Sequence, residues 1–517
     1  MLKLTSQELA ICGFLLKKND ELGLGITFRF AGGWTRDKIL GRESDDIDIA
    51  IDKMTGKQFA QAAGLRASIL EADPDQSKHL EVAIVEICGR KVEIANLRDE
   101  SWAGAYKDSR ILAENRFGTP LSDAQRRDLT INAIFFNINT MEIEDLVGGV
   151  ADLGFKIQDG KLIQISDMID LRTPLPVKQT LLDDPLRMLR AARFASKLEG
   201  AVMVDELYEC MRDPEVQAAF KSRITQERIA VELLGKRDKE DYKTGIFNYQ
   251  NAWEAVWILG DVGLLDIILD VPEMAGFKPF RMDQNNRYHA YDVFEHTTKV
   301  MLNLWFQQPF LDLPPEKQAL LQFAALLHDL GKRDPKCCQL KADGMNSYHG
   351  HEDSSAVVAR AICNKLAMSN DDTSYVVNIV KAHMDPHPQE WGSARVLRRF
   401  RHNYPDEWQD IIVHAKCDVL STGTLRPQKE IDRYDELLDR GLQLVVDDRN
   451  APSTHKPIID GRRVMEMIPE ILPKTGFIRE VNAALLEMRL EAPETTVEQY
   501  EAKILEMKPA LLEKHAN

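Results

Sequence analysis

The sequence predicts an α+β protein in which a small mixed β-sheet at the N-terminus is followed by a long all-α body. Short segments rich in β-branched residues and bounded by turn formers predict strands between residues 26 and 138. From about residue 160 to the C-terminus, apolar residues recur at helical spacing instead. The predicted strands lie in ITFRFAGG, DDIDIAID, HLEVAIVEI, KVEIANL and TINAIFFNI.

The composition is typical of a soluble protein with several domains. The chain has 517 residues, of which 44% are hydrophobic and 29% charged. Its net charge of -16 means that any RNA-binding surface must be a local basic patch. Seven scattered cysteines without a CxxC pair predict a reducing compartment. Because no stretch approaches the roughly 20 apolar residues of a membrane span and no presequence is evident, we expect a cytoplasmic protein without a membrane partner.

The segment AGGWTRDKILGRESDDIDIAID holds the first candidate site. Gly32 and Gly33 predict a turn that opens a helix, where backbone N–H groups can approach a phosphate. Asp46 and Asp48 alternate along the next strand and so point to one face. Two such carboxylates are suited to Mg²⁺ bound together with substrate phosphates. Taken alone, each motif is also compatible with an ordinary turn and an acidic strand edge.

A third carboxylate completes many two-metal sites, and Glu93 in KVEIANL is the candidate. It lies on a predicted strand, where it can face Asp46 and Asp48. The alternative is an exposed strand glutamate without a catalytic role.

Several segments in succession resemble the motifs of class II tRNA nucleotidyltransferases. They are GGWTRD, DDIDIAI, VEIANLR, RFGTP, RRDLTINAIFFNI, DLVGGVADL, DDPLRMLRAARFASKL and SRITQERIAVEL, in that family's order over residues 28 to 235. The resemblance implies a polymerase β-like head, Mg²⁺ as cofactor, ATP and CTP as substrates and the tRNA 3′ end as acceptor, with no DNA partner.

The resemblance also implies which residues contact the nucleotide. Asp46, Asp48 and Glu93 would be catalytic. The RRD motif would bind the ribose and phosphate, and an acidic pair followed by arginine would read the base, since a carboxylate and a guanidinium complement the Watson–Crick edges of C and A. DDPLRMLR alone is also compatible with a capped helix N-terminus. The implied nucleotide-binding residues are Gly32, Gly33, Arg36, Arg126, Arg127, Asp128, Asn132, Asp183, Asp184, Arg187 and Arg190.

A flexible loop between Ala95 and Arg126 switches specificity from C to A in that family. Its presence here favours the complete CCA reaction.

A second set of segments resembles the HD superfamily of metal-dependent phosphohydrolases. They are YHAYDVFEHTTKVM, FAALLHDLGK, YHGHEDSS, IVKAHMDPH and HAKCDVL. The resemblance implies the metal ligands His296, His328, Asp329 and Asp418, with His351 and His383 on a second ion. Imidazole and carboxylate ligands suit Mn²⁺, Ni²⁺ or Co²⁺ as well as Mg²⁺. Lys332 would contact phosphate or, alternatively, be a solvated lysine.

The predicted domains are a nucleotidyltransferase head at 1–157, a helical nucleotide-selecting and RNA-binding domain at 158–275, an HD domain at 276–425 and a helical tail at 426–517. Arginine clusters in RMLRAARF, RVLRRFRH and SRITQER are candidates for the local basic surface, or else are solvated helix faces.

These observations favour template-independent addition of CCA to tRNA, with a second phosphohydrolase activity. One alternative is an A-adding enzyme or a poly(A) polymerase. An alternative of another class is an HD phosphohydrolase, or a signalling nucleotidyltransferase that modifies protein. Whether the chain forms a homodimer is left open.

Overall fold

The computed structural model describes residues 2–44, 46–70, 81–99, 117–238, 241–387, 393–448, 459–471 and 476–515. The chain divides into two compact units. The first comprises Met1–Gly235 and Thr244–Leu269, and the second comprises Lys236–Lys243 and Asp270–Asn517. Most of the predicted specificity loop, residues 100–116, lies outside the described residues.

The first unit contains a mixed seven-stranded sheet within the described residues. Its strand order is β3-β4-β5-β2-β1-β6-β7. The pairing of β2 with β5 is parallel, whereas the other neighbours in the sheet are antiparallel. The strands are β1 (Phe28–Phe30), β2 (Asp48–Ile51), β3 (Ala67–Leu70), β4 (Val82–Ile87), β5 (Arg90–Asn96), β6 (Phe135–Asn137) and β7 (Glu142–Glu144).

Twelve helices of the first unit are described. They surround the sheet and continue beyond it as the start of the helical body. They are α1 (Ser6–Leu22), α2 (Gly33–Ile39), α3 (Gly56–Ala62), α4 (Pro120–Gln125), α5 (Gly149–Asp152), α6 (Val177–Asp183), α7 (Arg187–Lys197), α8 (Asp205–Cys210), α9 (Pro214–Arg223), α10 (Gln226–Leu234), α11 (Ala252–Asp261) and α12 (Leu264–Leu269). Short 3-10 helices occupy Thr130–Asn132 and Ile246–Asn248.

An aromatic core fixes α2 against the sheet. Phe30 and Trp34 are stacked at 4.0 Å between ring centroids, and Phe136 packs beside both. All three side chains are almost completely buried, and burial of each contributes about 2–3 kcal/mol. The indole N–H of Trp34 donates to Oε1 of Glu8 on α1 at 2.9 Å, so its polar atom is also satisfied. The helix that follows the paired glycines is therefore held in one position.

The prediction of an α+β fold is confirmed, but the body is less purely helical than the sequence suggested. Two-stranded sheets follow the main sheet in the first unit: β8 (Phe155–Gln158) pairs with β9 (Lys161–Gln164), and β10 (Ile169–Leu171) pairs with β11 (Ala201–Met203). The turn between β8 and β9 contains Asp159 and Gly160, both with positive φ. An Asp-Gly pair is the usual signal of a tight hairpin, which the helical interpretation overlooked.

The second unit is mainly helical. Its described helices are α13 (Val293–Leu304), α14 (Gln308–Leu311), α15 (Pro315–Leu327), α16 (His351–Lys365), α17 (Asn370–Ala382), α18 (Ala394–Asn403), α19 (Trp408–Leu420), α20 (Gln428–Asp447), α21 (Gly461–Met467), α22 (Phe477–Glu491) and α23 (Val497–His515). Two hairpins accompany them, β12 (Lys236–Asp238) with β13 (Asp241–Lys243), and β14 (Cys338–Leu340) with β15 (Asn346–Tyr348). The 3-10 helices are Pro272–Met274 and Leu330–Arg333.

One glycine sets the closest approach in this unit. A Cβ atom on Gly331 would lie 2.1 Å from the carbonyl oxygen of His351 and 2.7 Å from the backbone nitrogen of Ser355. The backbone nitrogen of Gly331 donates to Oγ of Ser355 at 2.8 Å. The 3-10 turn after α15 can therefore lie directly against the first turn of α16.

The C-terminal helices have an apolar core of their own. It consists of buried side chains from α21, α22 and α23 and their connections, among them Val464, Phe477, Leu485 and Ile504. No helix among the described residues is long and apolar enough to cross a membrane.

Candidate functional site

The paired glycines lie between strand β1 and helix α2, with Gly32 at the N-cap. Gly32 has φ +64° and ψ −133°, a conformation that essentially only glycine adopts. A Cβ atom there would lie 3.3 Å from Nη1 of Arg127 and 3.7 Å from Oδ2 of Asp48. The turn therefore brings backbone N–H groups, a guanidinium and a carboxylate together.

Asp48 and Glu93 lie side by side in the sheet. Asp48 is the first residue of β2, and its direct partner on the parallel strand β5 is Glu93. Partners in register point to the same face on strands about 4.8 Å apart. Asp46 differs from the prediction because it precedes the strand rather than lying on it, and it is exposed. All three side chains are at least partly accessible, as carboxylates that hold Mg²⁺ with a substrate must be.

Arg36 is a buried residue of the middle of α2, not of its start as the sequence suggested. Its guanidinium donates to Oδ1 of Asn132 at 2.6 Å and makes two hydrogen bonds with Asp37, of 2.8 and 3.0 Å. Asn132 in turn donates from Nδ2 to Oδ1 of Asp128 at 3.0 Å. Arg36 thus holds the side chain of Asn132 in the position from which it donates to Asp128.

Asp128 is the centre of a buried network. Nε and Nη2 of Arg190 on α7 lie 2.8 and 2.7 Å from Oδ2 of Asp128. Burial opposes ionisation of Asp128, but Arg190, Asn132 and a backbone N–H hold its pKa well below the usual range. The charge of Asp128 also raises the pKa of Arg190. Glu232 on α10 lies 3.7 Å from Arg190 and accepts a 2.7 Å hydrogen bond from Arg193. The first unit thus fixes Asp128 as a carboxylate.

Asp123 orients the two arginines of the RRD segment. It is 1% exposed and accepts hydrogen bonds from Arg126 at 2.6 Å and from Arg127 at 2.9 Å. Burial raises its pKa, but the two guanidinium charges prevail and lower it. Arg127 also donates to the carbonyl oxygen of Asn132 at 3.0 Å. Sequence reasoning missed Asp123, although a carboxylate three and four residues before two arginines is a readable helix-face signal.

The residues predicted to read the base lie where α6 ends and α7 begins. Asp183 is the last residue of α6 and is exposed, and Asp184 follows it. Oδ2 of Asp184 accepts a hydrogen bond from Arg228 at 3.0 Å. The guanidinium of Arg187 donates to the carbonyl oxygens of Thr180, at 3.1 Å, and Arg126. In this conformation the side chains of Asp184 and Arg187 are each paired with other groups, although the backbone nitrogen of Arg187 donates to the carbonyl oxygen of Asp184 at 3.0 Å.

In the second unit, the four predicted histidine ligands converge on the carboxylate of Asp329, and Asp418 lies beside one of them. Asp329 lies within 3.8 Å of the Nε2 atoms of four histidines, and His296 also lies 3.0 Å from Oδ1 of Asp418. The Asp329 distances are 3.4 Å to His296, 3.3 Å to His328, 3.3 Å to His351 and 3.8 Å to His383. Helix ends supply most of these ligands, with His328 and His383 at C-caps and His351 at the start of α16.

Backbone carbonyls fix the tautomer of each of these histidines. In all four, Nδ1 lies within hydrogen-bond distance of a carbonyl oxygen, which can only accept. The neutral ring must then carry its proton on Nδ1 and present the Nε2 lone pair toward Asp329, as metal-bound histidines do. The acceptors are Ser421 for His296, Ala325 for His328, Tyr348 for His351 and Val380 for His383.

Charges in this cluster favour a cation. Burial, reinforced by repulsion from His328 and His351, lowers the pKa of His383 well below its usual value, so the ring is neutral at pH 7. The pKa of His328 is raised despite its burial, because the carboxylates of Asp329 and Asp418 attract positive charge. The same field attracts a metal ion.

Two buried polar atoms without hydrogen-bond partners among the described residues also favour a bound metal ion. Nε2 of His328 and Oδ1 of Asp329 are fully buried, and within the described residues neither has a partner in hydrogen-bond geometry. A buried polar atom without a partner costs about 1–3 kcal/mol, which a metal–ligand bond would recover. Three groups of residues bring ligand atoms within 4.8 Å of one another: His289, His296 and Asp329; His296, His328 and Asp418; and Asp329, His351 and His383. The donor set suits a transition metal.

Two family models match the parts of the chain in which the two candidate sites lie. The profile of the poly A polymerase head domain matches residues 28–158, and that of the HD domain matches residues 287–437. This chain contains both domains. The head domain holds the Gly32–Gly33 turn and the Asp48–Glu93 pair, and the HD domain holds the converging histidines.

The chain is similar to curated proteins over 40% to 84% of its length. It is 41% identical over 255 residues to the "CCA tRNA nucleotidyltransferase, mitochondrial" of Candida glabrata, which covers 45% of this chain and 44% of that protein. It is 28% identical over 381 residues to the "A-adding tRNA nucleotidyltransferase" of Deinococcus radiodurans, over 71% of this chain and 74% of that protein. The matches to the first relatives thus span less than half of their length.

The fold is that of a solved CCA-adding enzyme. The structure of the Bacillus stearothermophilus enzyme in complex with CTP superimposes with a TM-score of 0.62, at 18% identity, over 99% of this chain and 100% of that chain. At this identity the similarity concerns the fold.

Three further histidines, which sequence reasoning did not assign, line the centre of the HD domain. His387 lies 3.2 Å from Oδ2 of Asp418 and His289 lies 3.5 Å from Nζ of Lys332. The ring of His414 lies 4.9 Å from that of His328, and burial lowers its pKa to about 3. His414 precedes Asp418 by four residues on α19, so helical spacing could have indicated it.

Lys332, predicted to contact phosphate or to be solvated, is buried in the HD domain. Its Nζ donates to Oδ2 of Asp329 at 2.7 Å and to Oε1 of Gln284 at 3.1 Å. The solvated alternative is therefore wrong, and Lys332 orients the shared carboxylate.

The arginines of α18, a predicted candidate for the basic surface, form ion pairs within the second unit. Arg398 makes a 2.9 Å ion pair with Asp448, and Arg401 lies 3.5 Å from the same carboxylate. Arg395 and Arg399 both pair with Glu487 on α22. Four guanidinium groups share two carboxylates, so these contacts neutralise only part of the positive charge of α18.

Proposed function

We propose that this protein adds CCA to the 3′ end of tRNA, transferring CMP and AMP from CTP and ATP without a nucleic-acid template. The observation that carries the proposal is the direct pairing of Asp48 with Glu93 beside the Gly32–Gly33 turn. Three carboxylates next to a phosphate-binding turn are what in-line nucleotidyl transfer requires. The similarity to named tRNA nucleotidyltransferases supports this reaction over others that use the same head.

The predicted site residues of the head domain have distinct roles in this proposal. Mg²⁺ bound by Asp46, Asp48 and Glu93 would neutralise the triphosphate and lower the pKa of the attacking hydroxyl. Backbone N–H groups at Gly32 and Gly33 cradle the triphosphate, with Arg127 beside them. The described geometry supports Asp128 as the acceptor for a ribose hydroxyl, since its charge is maintained.

Asp183, Asp184 and Arg187 select the base in this proposal. To do so, Arg187 must leave the carbonyl oxygens that it now contacts, and Asp184 must leave Arg228. Binding of C or A would replace these contacts with the exocyclic amine on the carboxylate and the ring acceptors on the guanidinium. U and G lack this complement, so they are rejected.

The test is nucleotide incorporation with defined acceptors. Purified protein, Mg²⁺ and one labelled nucleoside triphosphate are incubated with tRNA transcripts that end before CCA, after C or after CC. Ordered addition of C, C and A that then stops supports the proposal. A protein that accepts U or G equally, or that extends all three transcripts without stopping, would contradict it.

One observation favours a narrower function. The relative from Deinococcus radiodurans, matched over 74% of its length, is named an A-adding enzyme. In the same assay, an A-adding enzyme would extend only the transcript that ends after CC.

We infer that the HD domain is a metal-dependent phosphohydrolase. Four histidines with Nε2 directed at Asp329, together with Asp418, support a binuclear site for Mn²⁺, Ni²⁺ or Co²⁺. The protein is incubated with each metal and with p-nitrophenyl phosphate or bis-p-nitrophenyl phosphate, which separate monoester from diester hydrolysis. Hydrolysis that Asp329→Asn abolishes supports the inference, and equal rates in both proteins would contradict it.

A further inference from the structure

A group of basic side chains extends from the paired glycines to the turn after α2. A Cβ atom on Gly33 would lie 3.4 Å from Nη2 of Arg36, whereas Arg42 follows the C-terminal end of the helix. Arg36 on α2 and Arg193 on α7 lie on the ring of the buried Phe194, with guanidinium carbons 5.1 and 5.0 Å from its centroid. Lys197 follows Arg193 by four residues and so lies on the same face of α7. The backbone nitrogen of Arg42 donates to the carbonyl oxygen of Asp37 at 2.8 Å, which brings Arg42 back to α2.

The charges of this group do not cancel. Arg36 is paired with Asp37, and Arg193 with Glu232. In the part of the chain that the structure describes, neither Arg42 nor Lys197 forms an ion pair or a side-chain hydrogen bond. Two positive charges are therefore left on this face of a protein whose net charge is -16.

Lys197 is held where its own charge is unfavourable. Burial, with repulsion from Arg36, Arg193 and Arg42, lowers the pKa of Lys197, and only Asp37 opposes this effect. A half-buried lysine among arginines is destabilising unless an anion joins the cluster. The local excess of positive charge is what the acidic composition requires of any RNA contact.

We propose that Arg42 and Lys197 bind a phosphodiester of the RNA acceptor strand, a few nucleotides before its 3′ end. This proposal rests on the proposed function and names a contact of the same substrate. The α2 helix of seven residues separates Arg42 from the glycine turn by roughly 10 Å, at 1.5 Å per residue. Lys197 lies roughly as far along α7 beyond Arg190, which contacts Asp128. A triphosphate held at the N-terminal end of α2 cannot also occupy the other end, whereas a polynucleotide backbone that enters the site can.

The experiment compares Lys197→Gln, Arg42→Gln and the double variant with the wild type and with Lys161→Gln. Lys161 is an exposed lysine on β9 of the same unit and serves as the matched control. Binding of a fluorescent tRNA transcript that lacks CCA is measured by anisotropy at several salt concentrations. In parallel, kcat and KM are measured for CTP and ATP, and thermal unfolding is followed for each variant.

We expect each variant to bind tRNA about three- to tenfold more weakly at low salt, and to reduce the slope of log affinity against log salt by about 0.7–0.9. The KM for CTP and ATP should not change. Because Lys197 is repelled by its neighbours, Lys197→Gln should unfold at the same temperature as the wild type or higher, which a structural role would not allow. The Lys161→Gln control should match the wild type in all three measurements.

Two results would overturn the proposal. Unchanged tRNA affinity and salt slope in the double variant would exclude the contact. A raised KM for CTP and ATP with unchanged tRNA affinity would assign the cluster to the triphosphate instead. Failure of the proposed function is distinguishable: a wild type that adds no nucleotide, yet binds tRNA with a slope that the variants reduce, would refute CCA addition and retain the phosphate contact.

Discussion

The ion pair between Asp128 and Arg190 gives the sharpest prediction for the head domain. Asp128 is 8% exposed, whereas the Arg190 side chain is 35% exposed. Removing one partner of a fully buried pair costs about 3–5 kcal/mol. Solvent access to Arg190 and the remaining hydrogen bonds from Asn132 and the Leu129 backbone N–H reduce that cost. We therefore expect Arg190→Met to lower the free energy of unfolding by about 2–3 kcal/mol.

Urea unfolding measures this change, and hydrogen exchange of peptides covering residues 126–137 locates it. Arg212→Met is the control, because Arg212 pairs with Glu209 and Asp261 at the surface of the same unit. An exposed pair contributes at most about 1 kcal/mol. Arg190→Lys should be intermediate, since lysine restores the charge without the planar fork. Equal destabilisation by Arg190→Met and Arg212→Met would refute the buried-pair argument.

The same pair makes stability depend on pH. The lowered pKa of Asp128 adds stability that is fully present above its ordinary value of 3.8 and is lost as the pH falls through the folded-state pKa. Without Arg190, only the hydrogen bonds from Asn132 and the Leu129 backbone N–H oppose burial, and the folded-state pKa of Asp128 rises. The Arg190→Met variant should therefore lose stability at a higher pH than the wild type.

Three further predictions concern single carboxylates. Glu93→Gln removes one of the proposed Mg²⁺ ligands and should lower kcat for CMP incorporation by about 100-fold or more, with unchanged unfolding temperature; full activity would exclude Glu93 from the site. Burial raises the pKa of Asp410 to about 6, so ionisation of Asp410 destabilises the fold increasingly from pH 3.8 to 6. Asp410→Asn should therefore stabilise the protein by about 1–3 kcal/mol at pH 7 and leave its stability unchanged near pH 4. A stabilisation that does not change with pH in urea unfolding would contradict this prediction. Asp329→Asn should lose the bound transition metal, measured by mass spectrometry of the desalted protein, whereas His349→Gln at an exposed position should retain it; equal metal contents would contradict the proposed centre.

Much of the head could be predicted because strand and turn signals are local. The alternation of apolar residues around Asp48 and Glu93 fixes which face each side chain takes, and the glycine pair marks the turn. The register that makes Asp48 and Glu93 direct partners could not be read from one sequence, since it depends on which strands become neighbours. Strands β3 and β7 were missed because each contains a single β-branched residue and no aromatic residue, so the strand signal is weak.

In the HD domain, contacts between residues that are distant in the sequence could not be predicted. Its histidines could be grouped through the resemblance of their segments to a known superfamily, but the tautomer of each ring depends on carbonyls that only the folded backbone brings close. The arginines of α18 were considered a candidate RNA surface because their acidic partners lie about 50 to 90 residues away along the chain. Charge in a sequence is therefore visible, whereas its neutralisation by distant residues is not.

The contact at Gly331 has a consequence for how the metal centre can be lost. The backbone of this residue touches the first turn of α16, whose first residue is His351. A single methyl group at position 331 would push α16 away from Asp329. His351, the first residue of that helix, would then move away from the other predicted ligands. A substitution at this residue, which has no side chain, would therefore disrupt the proposed metal centre while every predicted metal ligand stayed in the sequence.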